Sequence, residues 1–187
     1  MKKIRTLMML LALVLMPIGA AGCSSPKSDN ALAYDDAQQM MEEVWNVQDE
    51  QSKPAVFGGM GMDAAEGEPG DVSLEDPAAA ATAYNVPEDL VKSSENASSM
   101  MNAMMSNAFT VSAWELKEGK DAKALVEQTE KQLKETPWIC TTPEEYAIGY
   151  QGRFVIVVYG YSDQVKPFVE ALEKTCPDME LIRGAIQ

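Results

Sequence analysis

Residues 145–161 read EYAIGYQGRFVIVVYGY. Two runs rich in β-branched and aromatic residues flank Gln151-Gly152, so the stretch predicts a β-hairpin. The second run, Phe154 to Tyr159, is the most apolar beyond residue 22. That composition predicts a central strand.

Working outward, Ser162 is positioned to cap a helix that runs to about residue 175. Val165, Phe168, Val169, Leu172 and Cys176 recur at helical spacing along it. Pro167 comes early enough to be tolerated in a first turn. Upstream, a helix is predicted over about 120–135, with Asp121 as its cap. Ala122, Leu125, Val126, Thr129 and Leu133 form its apolar stripe, and Pro137 marks its stop. Glu127–Lys131 and Glu130–Lys134 are spaced to support it as i, i+4 pairs. Before that helix, AFTVSAWEL (108–116) alternates, with Phe109, Val111 and Ala113 on one face of a strand. VPEDLV (86–91) reads as a short helix start, with Glu88 and Asp89 at the positive end. Strand, helix, strand, strand, helix implies an α+β fold. The expectation is a small antiparallel sheet with helices packed on one face, a two-layer sandwich over residues 84–187.

Upstream of residue 84 the signals weaken. Residues 49–83 hold five glycines and three prolines and are strongly acidic and poor in large apolar side chains. They read as a disordered linker, with one helical turn in PAAAATAY (77–84). An N-terminal helix is expected over 32–48. Ala37, Met40, Val44 and Val47 lie at helical spacing there, with Met41 beside them.

The chain opens MKKIRTLMMLLALVLMPIGAAGC. Lys2, Lys3 and Arg5 precede ten apolar residues, Leu7 to Met16, and then small residues up to Gly22. Basic, apolar, small is the layout of a secretory signal, here 1–22. The apolar run is too short to span a bilayer, which takes about 20 residues. AAGC resembles the bacterial lipobox, with Ala20 where leucine is usual, and this implies a lipid on Cys23. Residues 23–31 then form a tether. The expected location is the outer side of a cell membrane, held by acyl chains such as palmitate, each buried CH2 worth about 0.8 kcal/mol.

Fifteen basic residues face 29 acidic ones, a net charge of −14. Three of the bases and none of the acids lie in 1–22, which leaves 12 against 29 beyond it, or −17. Such a surface repels nucleic acid and suits cations or a basic partner. The chain has no histidine. Ser–His and Cys–His nucleophile pairs and His-ligated zinc are therefore excluded. No Walker loop or dinucleotide fingerprint occurs, and GGMGM (58–62) lacks the flanking strand and helix of a phosphate loop. No cofactor is expected.

Four groups remain as candidates. In SSMMNAMMSNA (98–108), Met100, Met101, Met104 and Met105 would share one side of a helix and offer thioethers to a soft metal such as Cu(I), or simply fill a core. Cys140 and Cys176 make an even pair outside the cytoplasm and could form a disulfide. Against this, an odd number of chain reversals separates the two helix ends, which should place the cysteines at opposite edges of the sheet. The acids of 63–76 could attract Ca2+ but lack EF-hand order. Tyr146, Tyr150, Tyr159 and Tyr161 could line an aromatic surface or serve as ordinary strand residues.

AWELKEGKDAKALVEQTEKQLKE, followed by TPEEYAIGYQGRFVIVVYGYSDQVKPFVEAL, resembles small bacterial lipoproteins whose C-terminal domain is of unknown function (family 4358). The likeness covers roughly 84–176, and MMNAMM is similar to that family's Met-rich turn. It implies this fold and no particular activity. The expected function is a non-enzymatic binding or interaction module at the cell envelope, taking an envelope protein or a small ligand. Two other readings are a soft-metal or cation-binding lipoprotein and an envelope hydrolase using paired carboxylates.

Overall fold

The computed structural model describes residues 34–61, 64–104 and 107–186. In chain order the elements are α1 (Ala37–Val47), a 3-10 turn (Glu50–Ser52), β1 (Val56–Gly58), β2 (Ala65–Glu66), β3 (Gly70–Asp71), α2 (Pro77–Tyr84) and α3 (Glu88–Ser93). Then follow β4 (Ser94–Asn102), β5 (Thr110–Leu116), α4 (Ala122–Glu135), β6 (Glu145–Gln151), β7 (Phe154–Gly160), α5 (Ser162–Thr175) and β8 (Glu180–Ala185).

The hairpin forms as its sequence predicts. Gln151 pairs with Phe154 across a two-residue loop, and Gly152 takes the positive φ of 58° that such loops demand. β7 lies between β5 and β6 and is buried along its whole length. α4 is capped by the Asp121 carboxylate on the Ala124 amide and buries the five expected side chains. Of its two expected ion pairs, Glu130–Lys134 forms at 2.7 Å, and Glu127–Lys131 does not occur among the described residues. α5 buries Val165, Phe168, Val169 and Leu172. Ser162 is its first residue rather than its cap. Pro167 falls in the second turn, where it removes one intrahelical donor.

The fold is α+β, and the described residues form one open antiparallel sheet of eight strands in the order β2-β1-β4-β5-β7-β6-β8, with β3 also pairing with β4. The helices, expected on one face, cover both. Phe109, Val111, Ala113, Ala147, Phe154, Ile156 and Val158 face α1 and α5. Trp114, Leu116, Tyr146, Ile148, Val155, Val157 and Tyr159 face α2, α3 and α4. Strand residues alternate between faces, so the unbroken apolar run of β7 already required a second helical layer.

The segment 49–83, expected to be a disordered linker, is part of this domain. β1 and β3 pair with β4, and β2 with β1. The glycines that read as disorder permit close backbone packing: a Cβ on Gly58 would land on the Glu68 carbonyl and the Gly70 amide. PAAAATAY becomes a full helix, capped by Asp76 and closed by Asn85 in the left-handed conformation. α1, expected as a separate N-terminal helix over 32–48, packs on α5 and β4. It buries Met40, Met41 and Val44, with Trp45 rather than Val47 completing the contact.

Burial also sets an alkaline limit. The hydroxyls of Tyr84 and Tyr159 sit in the α2–α4 layer, and burial pushes both up to about 12. Below pH 10 the folded and unfolded chains both hold these protons, and stability is complete. Above pH 10 the unfolded chain loses them first, so stability falls until the folded-state value near 12 is passed. The expected loss is about 2–3 kcal/mol per tyrosine, read as a drop in urea midpoint between pH 9.5 and 12. In Tyr84→Phe the drop should be smaller, and an equal drop would show that Tyr84 takes no part.

Candidate functional site

α5 crosses β6 and β7 on Val165, Phe168 and Val169, and β8 lies beyond it at the sheet's end. The wedge between α5 and the β6–β8 edge is a cleft of about 320 Å³. Ala147, Val165 and Val169 make its apolar floor. Glu145 from β6, Lys166 and Glu170 from α5, and Arg183 from β8 make its charged rim. Arg183 is held by Glu173, one turn further along α5. The strand next to the cleft is closely fitted. A Cβ on Gly149 would meet Met179 and Leu181, and one on Gly184 would meet the Tyr146 ring. Tyr146 in turn donates its hydroxyl to Glu130 at 2.7 Å. The Lys134 ammonium first, and this hydroxyl second, hold the Glu130 carboxyl below its ordinary value.

A second hollow, about 310 Å³, opens where the C-terminus of α1 meets α5. Gln48, Asp49, Ser52, Glu170 and Lys174 line it. Gln48 is buried and donates to the Ser52 carbonyl at 3.2 Å.

A polar knot around one buried carboxylate ties the other end of α1 to the sheet. The Glu115 carboxylate accepts from the Asn96 amide and the Arg153 guanidinium. Asn96 accepts in turn from the Ala37 amide at 2.9 Å, and Arg153 also reaches Glu95 at 2.9 Å. One buried carboxylate thus joins α1, β4, β5 and the β6–β7 hairpin, which is a fastening rather than a reaction site.

The sequence candidates disperse. Met100 and Met101 sit on successive positions of β4 and so face opposite layers: Met100 packs with α1 and α5, Met101 with the other core. Met104 is 62% exposed in the following loop, and Met105 lies outside the described residues. Met100, Met101 and Met104 therefore do not align along a helix, because the first two occupy a strand, whose neighbours point apart, and the third a loop. Among the described residues no group of three Asp, Glu or Cys side chains could hold a metal ion. Of the tyrosines, Tyr146 and Tyr159 are buried, and Tyr150 and Tyr161 are only partly exposed, so no continuous aromatic surface results. Cys23 lies outside the described residues.

Cys140 and Cys176, which the sequence leaves open as a pair, form no disulfide, and both are free. Cys176 is buried in the α1–α5 layer and is the partner of the Tyr34 hydroxyl at 3.7 Å. Burial pushes its thiol up. Cys140 is exposed, two residues beyond Trp138, which packs on Tyr159 in the opposite layer. The sheet stands between them, so they are separated by faces rather than by edges. A thiol reagent should label Cys140 at once in the native chain and Cys176 only on unfolding. Simultaneous labelling of both would contradict this placement.

The cleft residues Glu145, Lys166, Glu170 and Arg183 were not singled out in the sequence. Each is an ordinary charge on a helix or strand, and β8 carries too short an apolar pattern to be read. No family model, curated protein or solved structure matches the chain.

Proposed function

We propose that the chain is a lipid-anchored, non-enzymatic binding module at the bacterial cell envelope. The anchor reading rests on the leader, on Cys23, and on the likeness of residues 84–176 to small lipoproteins of unknown function. Among the described residues no helix is long and apolar enough to cross a membrane. The observation that carries the binding reading is the α5/β6–β8 cleft, where an apolar floor meets two bases and two acids. An apolar pocket with a few convergent polar groups is the usual form of a recognition site.

Replacing Cys23 with Ser should release the protein from the membrane fraction, and retention there would refute the anchor. For binding, a soluble chain starting at Ser24 is melted with Cu(I), Ca2+, cell-wall fragments or peptides. A ligand at 100 times its dissociation constant stabilises by about 2.7 kcal/mol, a midpoint shift of several degrees. The shift should vanish in Lys166→Glu. A shift that survives this change would move binding elsewhere on the surface.

One observation favours a second reading. Glu145 and Glu170 come from opposite walls of the same cleft, as a paired-carboxylate hydrolase would require. Glycan cleavage that Glu170→Gln abolishes would replace the binding module with an enzyme.

A further inference from the structure

We propose that the free edge of β8 accepts an extended, basic segment of a partner protein as a ninth strand. The proposal rests on the binding-module reading and names its partner class. Among the described residues β8 is the last strand of the sheet. Its register with β6 is unbroken from Tyr150↔Glu180 to Glu145↔Ala185, with no bulge and no proline. Ile186 donates to the Glu144 carbonyl at 3.0 Å. By the alternation of an antiparallel ladder, even-numbered residues bond to β6. The backbone groups of Leu181, Arg183 and Ala185 therefore point outward.

Natural sheets protect such an edge with free charges, prolines or bulges. Here both charged side chains of β8 are engaged within the chain. Arg183 is tied to Glu173 on α5, and Glu180 accepts from the Tyr150 hydroxyl. The sheet's opposite edge offers nothing comparable, since β2 has only two residues and β1 only three. The β8 edge also borders the cleft, so alternate side chains of an added strand would enter it beside Lys166 and Glu170. Strand addition of this kind takes its affinity from main-chain bonds and its selectivity from such pockets.

Charge decides the occupant. Glu145 and Glu170 line the adjoining cleft, Glu173 holds Arg183 and Glu180 lies on β8 itself, against Lys166 and Arg183, and the chain carries −14 overall. A second copy would bring the same negative charge to the junction. A basic strand is attracted to it.

The test uses the soluble chain from Ser24 and two capped peptide probes, one alternating Lys and Val, the other alternating Glu and Val. The expected result is that the Lys probe binds and slows hydrogen exchange at the amides of Leu181, Arg183 and Ala185, while the Glu probe does not bind. Arg183→Pro removes an outward N–H without touching the β6 ladder. It should weaken the Lys probe at least roughly tenfold while the protein still melts cooperatively. The exchange pattern of the unmodified chain decides the matter even if this variant misfolds. Protection confined to other residues overturns the edge assignment, as does equal binding of both probes. No binding of the Lys probe at about 1 mM overturns it too. That result leaves the binding-module reading to stand or fall on the ligand screen. Dimerisation of the unmodified chain that Arg183→Pro abolishes would assign the edge to a second copy and overturn the proposal.

Discussion

A chain that begins at Tyr84 should show no cooperative melting transition, whereas one that begins at Tyr34 should melt as a single unit. Starting at Tyr84 removes α1, β1, β2, β3 and nearly all of α2. Without α1, the sheet face carrying Met100, Phe109, Val111 and Ala113 lies open, and so does the flank of α5. Burying one large apolar side chain contributes about 1.5–3 kcal/mol. Met40, Met41, Val44 and Trp45 together therefore match the whole stability of an ordinary domain, about 5–15 kcal/mol. β4 would also lose β1 and β3 and become a new edge, with Ser98 stripped of Gln38 and Gly70 and Ser99 of the Gly59 amide that donates to it. Circular dichroism during urea unfolding compares the two chains directly. A sigmoidal transition in the shorter chain near the midpoint of the longer one would mean that residues 34–83 are an appendage after all.

Trp114→Ala should cost about 3–5 kcal/mol, the range for deleting a fully buried large aromatic. The side chain has no exposure in the middle of β5. Its ring meets Tyr84 edge-on at 6.0 Å between centroids, and its indole N–H donates to the Ser112 hydroxyl at 3.0 Å. Truncation leaves a cavity under α2 and α3 and a buried hydroxyl without its donor, and the two costs add. Trp138→Ala is the internal control. That ring packs on Tyr159 at 5.3 Å but is only half-buried, so its loss should cost clearly less. Equal urea midpoints for Trp114→Ala and the unmodified chain would mean that the centre of the α2–α4 layer is not packed as described.

What could be read from the sequence had its pattern written into side chains. The α4 stripe, the α5 stripe and the β6–β7 hairpin each combine a clean period with local stop signals, and each appears where expected. β4 was hidden because its buried positions include Ser98 and Ser99, with Asn96 half-buried beside them. Their hydroxyl and amide groups are satisfied by Gln38, Tyr84, Glu115 and the Ala37 backbone, all distant in sequence. β1 and β3 were hidden because glycine serves there as a space-saver between backbones, and a composition rule cannot tell that from a flexible linker. The second helical layer was half legible: β7 is apolar on both faces, which a two-layer sandwich cannot bury. The cleft was not legible at all. Glu145, Lys166, Glu170 and Arg183 meet only because β8 returns beside β6, and pairing partners are set by topology rather than by local pattern.

The packing of α1 on α5 joins the first described helix to the last. A polypeptide emerges from its amino end, so Met40, Met41 and Val44 are made well over a hundred residues before Phe168, Val169 and Leu172. Until α5 arrives, that apolar stripe has no complete seat, and neither does the sheet face beneath it. Contacts so far apart in the chain slow folding and lengthen the interval in which sticky surface is on view. Maturation of this molecule is thus timed by its carboxyl end, and a nascent chain stalled before residue 162 is one that a holding chaperone would have to shelter.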